Sequence, residues 1–431
     1  MRRTITTTLE GICCPEKGAI ISGPFGSNIS SKYFVEKGIP VIRGNNLSLS
    51  LDKFYDKGFV FVTEEKADEL NCFAEKMDLI FTSAGTIGQV GLIPEISEYE
   101  KYVISNKQIR VRVDTSKVDI LYVYYWFASP WIQKLLISYN KGSTVPLLSL
   151  WEVKNLPITY PQDIEEQHKI ATFLEKLTKK IENNRNINNE LESMTKTIYD
   201  YWFLQFEFPN EKGKPYKSSG GKMVWNEELK REIPEGWGSG TFVSLGEIVA
   251  GGTPSTGHPE YYAKEGIAWI TPNDLSNSNN KYITHGERDI SQVGLENSSA
   301  RLMPKGSVLL TSRAPIGYIG IAANELCTNQ GFKSIIPNEK YGSEFIYYTV
   351  EKMVKYLKSL GTGSTFTEIS KDVVSKVKIV LPEEFVVKKF EEVITEMSNK
   401  RKILEQENKQ LIELRDFLLP LLMNGQVGFK D

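Results

Sequence analysis

Asp78-Leu79-Ile80-Phe81-Thr82-Ser83-Ala84-Gly85-Thr86-Ile87-Gly88-Gln89-Val90-Gly91 returns further along the chain as Ser307-Val308-Leu309-Leu310-Thr311-Ser312-Arg313-Ala314-Pro315-Ile316-Gly317-Tyr318-Ile319-Gly320, with Ile87 falling on Ile316 at an offset of 229. Upstream, Gly38-Ile39-Pro40-Val41-Ile42-Arg43-Gly44-Asn45-Asn46-Leu47 matches Gly266-Ile267-Ala268-Trp269-Ile270-Thr271-Pro272-Asn273-Asp274-Leu275 at 228. Downstream, Asn106-Lys107-Gln108 lines up with Thr328-Asn329-Gln330 at 222. Gly142-Ser143-Thr144 matches Gly363-Ser364-Thr365, and Pro161 matches Pro382, both at 221. Matches in one order with slowly drifting offsets mark a tandem duplication of a unit about half the chain long.

Each copy opens with short Val/Ile/Phe/Tyr runs punctuated by Gly, Pro and Asn, such as Val41-Ile42, Phe59-Val60-Phe61-Val62 and Ile109-Arg110-Val111-Arg112-Val113. These predict strands, with helices over 121–137 and 343–360 beside them. After Pro161 the texture changes. Ile170, Phe173, Leu177, Lys180, Asn184, Ile187, Leu191, Met194, Ile198 and Tyr201 follow spacings of 3 and 4. After Pro382 the same register returns in Phe390, Val393, Met397, Lys400, Leu404, Glu407, Leu411, Leu414, Leu418 and Leu421. A 3.5-residue period sustained in both copies predicts two long helices that pair, each about 40 residues and ~60 Å long. The Pro-, Gly- and Lys-rich stretch Pro209 to Gly221 reads as an exposed linker. The expected fold is thus mixed α/β. Residues 1–162 and 237–382 form two globular domains, 163–208 and 383–431 the long helices, and 209–236 a linker and lead-in.

The 431 residues are 40% hydrophobic and 25% charged, with a net charge of −2 and a pI near 6.2. That balance excludes a polybasic binder while permitting local basic faces. No apolar run follows Arg2-Arg3 and none is long enough to cross a membrane, so the chain reads as soluble and intracellular. Catalytic equipment is missing. The three histidines stand at no metal-ligand spacing with the four cysteines, and no G-x-x-x-x-G-K-[ST] loop occurs. Ser22-Gly23-Pro24-Phe25-Gly26-Ser27 and Gly251-Gly252-Thr253-Pro254-Ser255 read as tight turns, and Glu64-Glu65-Lys66 as a solvated face. No nucleophile–base pair or carboxylate pair stands out, which points to a binding protein with no metal and no cofactor of its own.

Several stretches resemble the specificity subunit of type I restriction–modification systems. Ile198-Tyr199-Asp200-Tyr201-Trp202-Phe203-Leu204-Gln205-Phe206-Glu207-Phe208-Pro209 is similar to the end of that family's central helical spacer. Pro215-Tyr216-Lys217-Ser218-Ser219-Gly220-Gly221 and Ile233-Pro234-Glu235-Gly236-Trp237 resemble its approach to the second target-recognition domain. Leu414-Arg415-Asp416-Phe417-Leu418-Leu419-Pro420-Leu421-Leu422-Met423-Asn424-Gly425 resembles its C-terminal helix. Two departures stand. The first copy has no Ile-Pro-Glu-Gly-Trp, and Phe385 to Phe390 replaces the Glu-Glu-Gln that Glu165-Glu166-Gln167 retains.

The resemblance implies a non-catalytic cytoplasmic subunit whose two recognition domains each read half of a bipartite target in double-stranded DNA. The helices, paired antiparallel about a pseudo-twofold axis, would set the unread spacer. Two adenine methyltransferase subunits would dock, with two restriction subunits as optional additions. S-adenosylmethionine, ATP and Mg would belong to those partners. Helix pairing would fall to Ile170, Phe173, Leu177, Ile187, Leu191, Met194, Ile198, Phe390, Val393, Met397, Leu404, Leu411, Leu414 and Leu418. The exposed seam and the Trp202-Phe203 end would make the chain poorly soluble alone.

Base edges are read by Arg, Lys, Asn and Gln, with Ser and Thr as adaptable partners. In the first copy the loops between apolar runs offer Arg43, Asn45, Asn46, Ser83, Thr86, Lys107, Gln108, Lys141, Ser143 and Thr144. In the second they offer Asn273, Asp274, Ser312, Arg313, Tyr318, Asn329, Gln330, Lys333, Ser364 and Thr365. Arg313, facing Ala84 across the repeat, is the first choice, because half-sites that differ require side chains that differ. The rival reading is a duplicated coiled-coil scaffold with a non-DNA ligand.

Overall fold

A computed structural model describes residues 3–139, 147–277, 280–313, 315–362 and 367–429. The chain divides into two compact units, Met1–Asn184 with Glu407–Asp431, and Arg185–Gln406. It is 39% helical and 24% strand. Each unit holds one half of each long helix, Ile164–Tyr199 and Glu384–Met423.

In the first unit an antiparallel sheet runs Ile20–Ser22, Gln108–Val111, Leu79–Thr82, Val90–Leu92. A second sheet runs Val60–Val62, Ile39–Ile42, Lys101–Ile104, Phe73–Glu75, with Ile39–Ile42 parallel to Lys101–Ile104. Leu79–Thr82 is buried along its whole length, which is why it reads as a continuous apolar run rather than an alternation. The aromatic helix Ile120–Phe127 covers the first sheet, and Phe81 meets Phe127 edge-on at 5.7 Å.

The second unit repeats this plan. Gly246–Ala250, Lys333–Pro337, Val308–Leu310, Ile319–Ala322 and Tyr282–Ile283 form one sheet. Tyr262–Ala263, Arg288–Ile290, Ile267–Ile270 and Cys327–Thr328 form the other. The backbone bonds match individually. Ser83 N–H donates to Lys107 O and Ser312 N–H to Gly331 O, both at 2.7 Å. Ser105 N–H donates to Ile42 O (3.0 Å) and Asn329 N–H to Ile270 O (2.9 Å). These bonds set the offset here at 224, not the 222 inferred from the shared Asn and Gln. Asn106 therefore corresponds to Gln330, Lys107 to Gly331 and Gln108 to Phe332. A recurring Asn–Gln pattern is weak beside paired backbone bonds, and because side chains alternate with period 2, a two-residue difference leaves the same faces inward and no mark in the apolar pattern.

The helix segments run antiparallel within each unit. In the first, Asn184 donates to Asn408 Oδ1 (3.0 Å), Asn408 donates to Ile181 O (3.3 Å), and Ile170 shares a core with Leu419 and Leu422. In the second, Arg401 bonds Glu192, and Thr195 lies 3.9 Å from Met397 Sδ. The buried stripe departs from the expected seam, however. It passes through Ile170, Leu174, Thr178, Ile181, Asn184, Asn188, Thr195 and Tyr199, and through Phe390, Ile394, Ser398, Arg401, Leu404, Asn408, Arg415 and Leu419. Of the residues assigned to pairing, Ile170, Phe390 and Leu404 are buried, while Phe173, Leu177, Leu191, Ile198, Met397, Leu411 and Leu418 are half-buried. Ile187, Met194, Val393 and Leu414 are exposed. The buried stripe keeps the seven-residue spacing, through Leu174, Ile181, Asn188 and Thr195 and through Ile394, Arg401, Asn408 and Arg415, so the expected period holds and only its phase differs. Here the inner face slides one residue along and becomes polar at its middle.

Two other expectations change. Trp202 and Phe203 are buried in the second unit's core, where Phe203 packs on Phe345 at 4.8 Å and on Phe390 at 5.1 Å. The stretch read as an exposed linker is exposed at 211–214 and 217–220 but pinned at Tyr216: Phe208 stacks between Tyr216 (4.6 Å) and Trp237 (5.0 Å), and beyond it Met223–Asn226 pairs with Arg231–Pro234. The Gln of Glu165-Glu166-Gln167 is a clasp. Fully buried Gln167 accepts Asp119 N–H (2.9 Å) and donates to Pro161 O (2.8 Å), tying the first helical turn to its domain. At the matching position, Val387 is buried without polar groups to satisfy.

Candidate nucleic-acid interface

In the first unit the turn Gly44–Asn46, the turn after Leu79–Thr82 and the turn before Gln108–Val111 converge on one open cleft of about 440 Å³. Arg43, Asn45, Thr86, Lys107 and Gln108 all line it. Its floor is an ordered polar layer. Thr82 Oγ1 donates to Gln89 Oε1 (2.9 Å), and Gln89 Nε2 donates to the carbonyls of Gly44 and Leu47, each at 3.1 Å. Ser105 Oγ bonds Gln108 Oε1. Gln108 Nε2 and Arg43 Nε are buried atoms without a partner among the described residues. Gly23 is required at the edge, because a Cβ there would lie 1.8 Å from Ser105 O. Phe25, two residues on, is 83% exposed.

Two expected readers are withdrawn into the frame by the same turn. Asn46 is buried; its Oδ1 accepts Arg43 N–H (3.0 Å) and its amide donates to Tyr55 O and Lys57 O, both at 3.0 Å. Asp274, its counterpart, accepts Thr271 N–H (2.7 Å) and Glu287 N–H (2.8 Å). Such local side-chain bonds are what Asn and Asp do in turns, and base reading is not needed to explain them. Ser83 is buried as well.

The corresponding surface of the second unit has different chemistry. Thr271 stands for Arg43 and the buried Phe332 for Gln108. Arg313 and Lys333 lie 3.6 and 3.8 Å from the carboxylate of Glu368, and Lys333 donates to Ser312 Oγ (3.4 Å). Burial lowers the Lys333 pKa, with Glu368 acting against it. Ser312 is buried and donates to Gly331 O (3.1 Å); Asn329 Oδ1 accepts Gly331 N–H (2.8 Å). Gln330 accepts from Thr253, while Asn273 and Tyr318 are exposed. Lys141, Ser143, Thr144, Ser364 and Thr365 lie outside the described residues.

Among the described residues no group of three or more His, Cys, Asp or Glu is placed to hold a metal ion. Among the described residues, no helix is long and apolar enough to cross a membrane. Burial pushes the Cys13 and Cys327 thiols up to about 12 and that of Cys72 up to about 11, far from reactive thiolates.

Residues 11–193 and 234–414 each match the family described as "Type I restriction modification DNA specificity domain". The chain belongs to this family. It is 39% identical over 215 residues to the Type I restriction enzyme MjaIX specificity subunit of Methanocaldococcus jannaschii, a match spanning 48% of this chain and 49% of that one. It is 26% identical over 384 residues to the HindI specificity subunit of Haemophilus influenzae, covering 77% and 82% of the two chains. The crystal structure of the S subunit from M. genitalium has the same fold, with a TM-score of 0.59 at 15% identity over 100% of this chain and 97% of that one. As a type I specificity chain, this protein has DNA and other restriction–modification subunits as its partners.

Sequence reasoning missed Gln89, Ser105 and Glu368. Gln89 lies inside the repeated stretch opposite Tyr318, a difference between copies that could have singled it out. Glu368 sits beside the second Gly-Ser-Thr motif, where residue type alone does not mark a carboxylate as the partner of Arg313 and Lys333.

Proposed function

We propose that this chain gives a type I restriction–modification complex its DNA target, each unit reading one half of a bipartite sequence. The observation that carries this is one backbone frame, bond for bond, presenting different side chains: Arg43 and Gln108 in one copy, Thr271 and Phe332 in the other. A fixed frame positions the protein, and variable side chains specify bases. The long helices, 36 and 40 residues, set the unread spacer. Two adenine methyltransferase subunits dock on the chain, and two restriction subunits join where the system restricts. S-adenosylmethionine, ATP and Mg act in those partners, in the cytoplasm. The exposed apolar side chains Ile187, Met194, Val393 and Ile403 of the second unit, and Leu414 and Phe417 of the first, provide docking surface.

Long-read methylation mapping in a host making this chain with its methyltransferase tests the reading. The expected result is a split motif with modified adenines on opposite strands, lost when the chain is deleted. Removing one heptad from both long helices is expected to change the spacer and leave both half-sites intact. A motif that survives deletion of the chain sinks the proposal.

A further inference from the structure

We infer that the cleft of the first unit reads the major-groove edge of a guanine, with Arg43 and Gln108 as the specificity-determining donors; this rests on the proposed role in DNA target recognition. The buried polar groups of the cleft floor are satisfied with two exceptions, while Asn45, Thr86 and Asn106 stand exposed at its rim. Thr82 and Gln89 are spent, since the hydroxyl donates to the Gln89 carbonyl and the Gln89 amide donates to two backbone carbonyls. Ser105 Oγ accepts Lys107 N–H at 3.4 Å, so its own proton goes to the Gln108 carbonyl. One lone pair of the Gln108 carbonyl is thus taken, while its amide nitrogen lacks an acceptor among the described residues. What remains is the Gln108 amide nitrogen, on a residue only 1% exposed, and Arg43 Nε; both are buried and have no partner among the described residues. Lys107 stands exposed at the mouth with no carboxylate partner among the described residues.

A buried donor without a partner is destabilising in the free protein, so a ligand supplying an acceptor gains from meeting it. The two unsatisfied buried groups are both donors, which favours an acceptor-only edge. Guanine offers N7 and O6 side by side, whereas adenine and cytosine bring an amino group and thymine one oxygen beside a methyl. A phosphate oxygen is also acceptor-only, and the two sources differ in outcome. A base contact fixes one position of the motif, while a phosphate contact weakens every sequence alike. The second unit has Thr271 and Phe332 at these places, so its half-site is an internal control.

The test is methylation mapping of the full chain, co-expressed with its methyltransferase, as wild type and as Arg43→Ala, Gln108→Met and Gln108→Glu. The wild type is expected to need guanine at one position of one half-site. Arg43→Ala and Gln108→Met should relax that position alone, discrimination falling about 10- to 100-fold, with the other half-site unchanged. Gln108→Glu should turn the preference to cytosine, whose amino group needs an acceptor. Should Gln108→Glu fail to fold, the other two variants still decide. An unaltered motif, a relaxed position that was never guanine, or a uniform loss across all sequences would overturn the inference while leaving the specificity role intact. A motif independent of the chain would instead remove that role and the inference with it.

Discussion

The two units share a backbone and solve the same anchoring problem differently. In the first, Lys53 reaches Glu175 of the first long helix (2.5 Å), and Tyr125 donates to the same carboxylate (3.0 Å). Lys281 is its counterpart, since Lys53 O accepts Leu92 N–H just as Lys281 O accepts Ile321 N–H. In the second unit Lys281 is buried and joins a larger network. It donates to Glu344 (2.6 Å) and Tyr348 (2.8 Å); Tyr348 donates to Glu192 (2.9 Å), which also holds Arg401. Burial raises the Glu344 pKa, but Lys281 beside it and the bonds from Tyr282 and Ser398 outweigh that and hold the carboxyl below its usual range. The frame is thus invariant, while the polar fastening, like the reading surface, is rebuilt in each copy.

Breaking the fastening should expose the difference most strongly. Lys281→Met leaves the buried Glu344 carboxylate without its cation, and is expected to destabilise the second unit by about 3–5 kcal/mol. Lys53→Met, at a partly exposed pair, should cost roughly 1 kcal/mol. Thermal unfolding of each variant followed by hydrogen exchange resolves the two units, and equal losses would erase the contrast.

A pH scan sharpens it. Burial pushes the Glu391 carboxyl up to about 7, against the bond from Phe345 N–H (2.9 Å), with Glu344 adding like charge. An unfolded Glu titrates near ~4.3. Because the folded value is raised, the stabilising contribution is full below that point and lost as pH rises through about 7. Glu391→Gln should therefore stabilise the second unit at pH 8 by roughly 3 kcal/mol at most and leave it unchanged at pH 4. Glu344 acts oppositely, losing its contribution as pH falls. No gain at pH 8 would remove Glu391 from the account.

The clasp gives the smallest contrast. Gln167→Val installs the second unit's solution in the first and leaves Asp119 N–H and Pro161 O unpaired, at a cost of about 1–3 kcal/mol. Chemical denaturation measures it, and a neutral result would mean water replaces the amide.

The duplication was legible because Thr82-Ser83 and Thr311-Ser312, with their trailing glycines, hold the same turn in both sheets. Five of the first copy's expected readers, Arg43, Asn45, Thr86, Lys107 and Gln108, could be chosen by residue type and loop position, and they line one cleft. Asn46 and Asp274 could not be told from readers, because a turn-capping amide and a base-reading amide are the same chemistry until burial is known. The helix seam misled for a related reason: apolar spacing marks hydrophobic residues, but here Asn184, Asn188, Arg401 and Asn408 occupy the inner face and Ile187 and Met194 the outer.

The division of the long helices has a consequence for how the chain is made. Leu419, Leu422 and Met423 pack in one core with Leu79, Phe81 and Tyr124. The half that leaves the ribosome first cannot close its interior until residues some three hundred positions later have been synthesised. The second unit, Arg185–Gln406, is one uninterrupted stretch and meets no such delay. Synthesis order and folding order are therefore reversed: the earlier-made recognition unit is the last to be finished, and it stays exposed to proteases and chaperones for the time it takes to translate its twin.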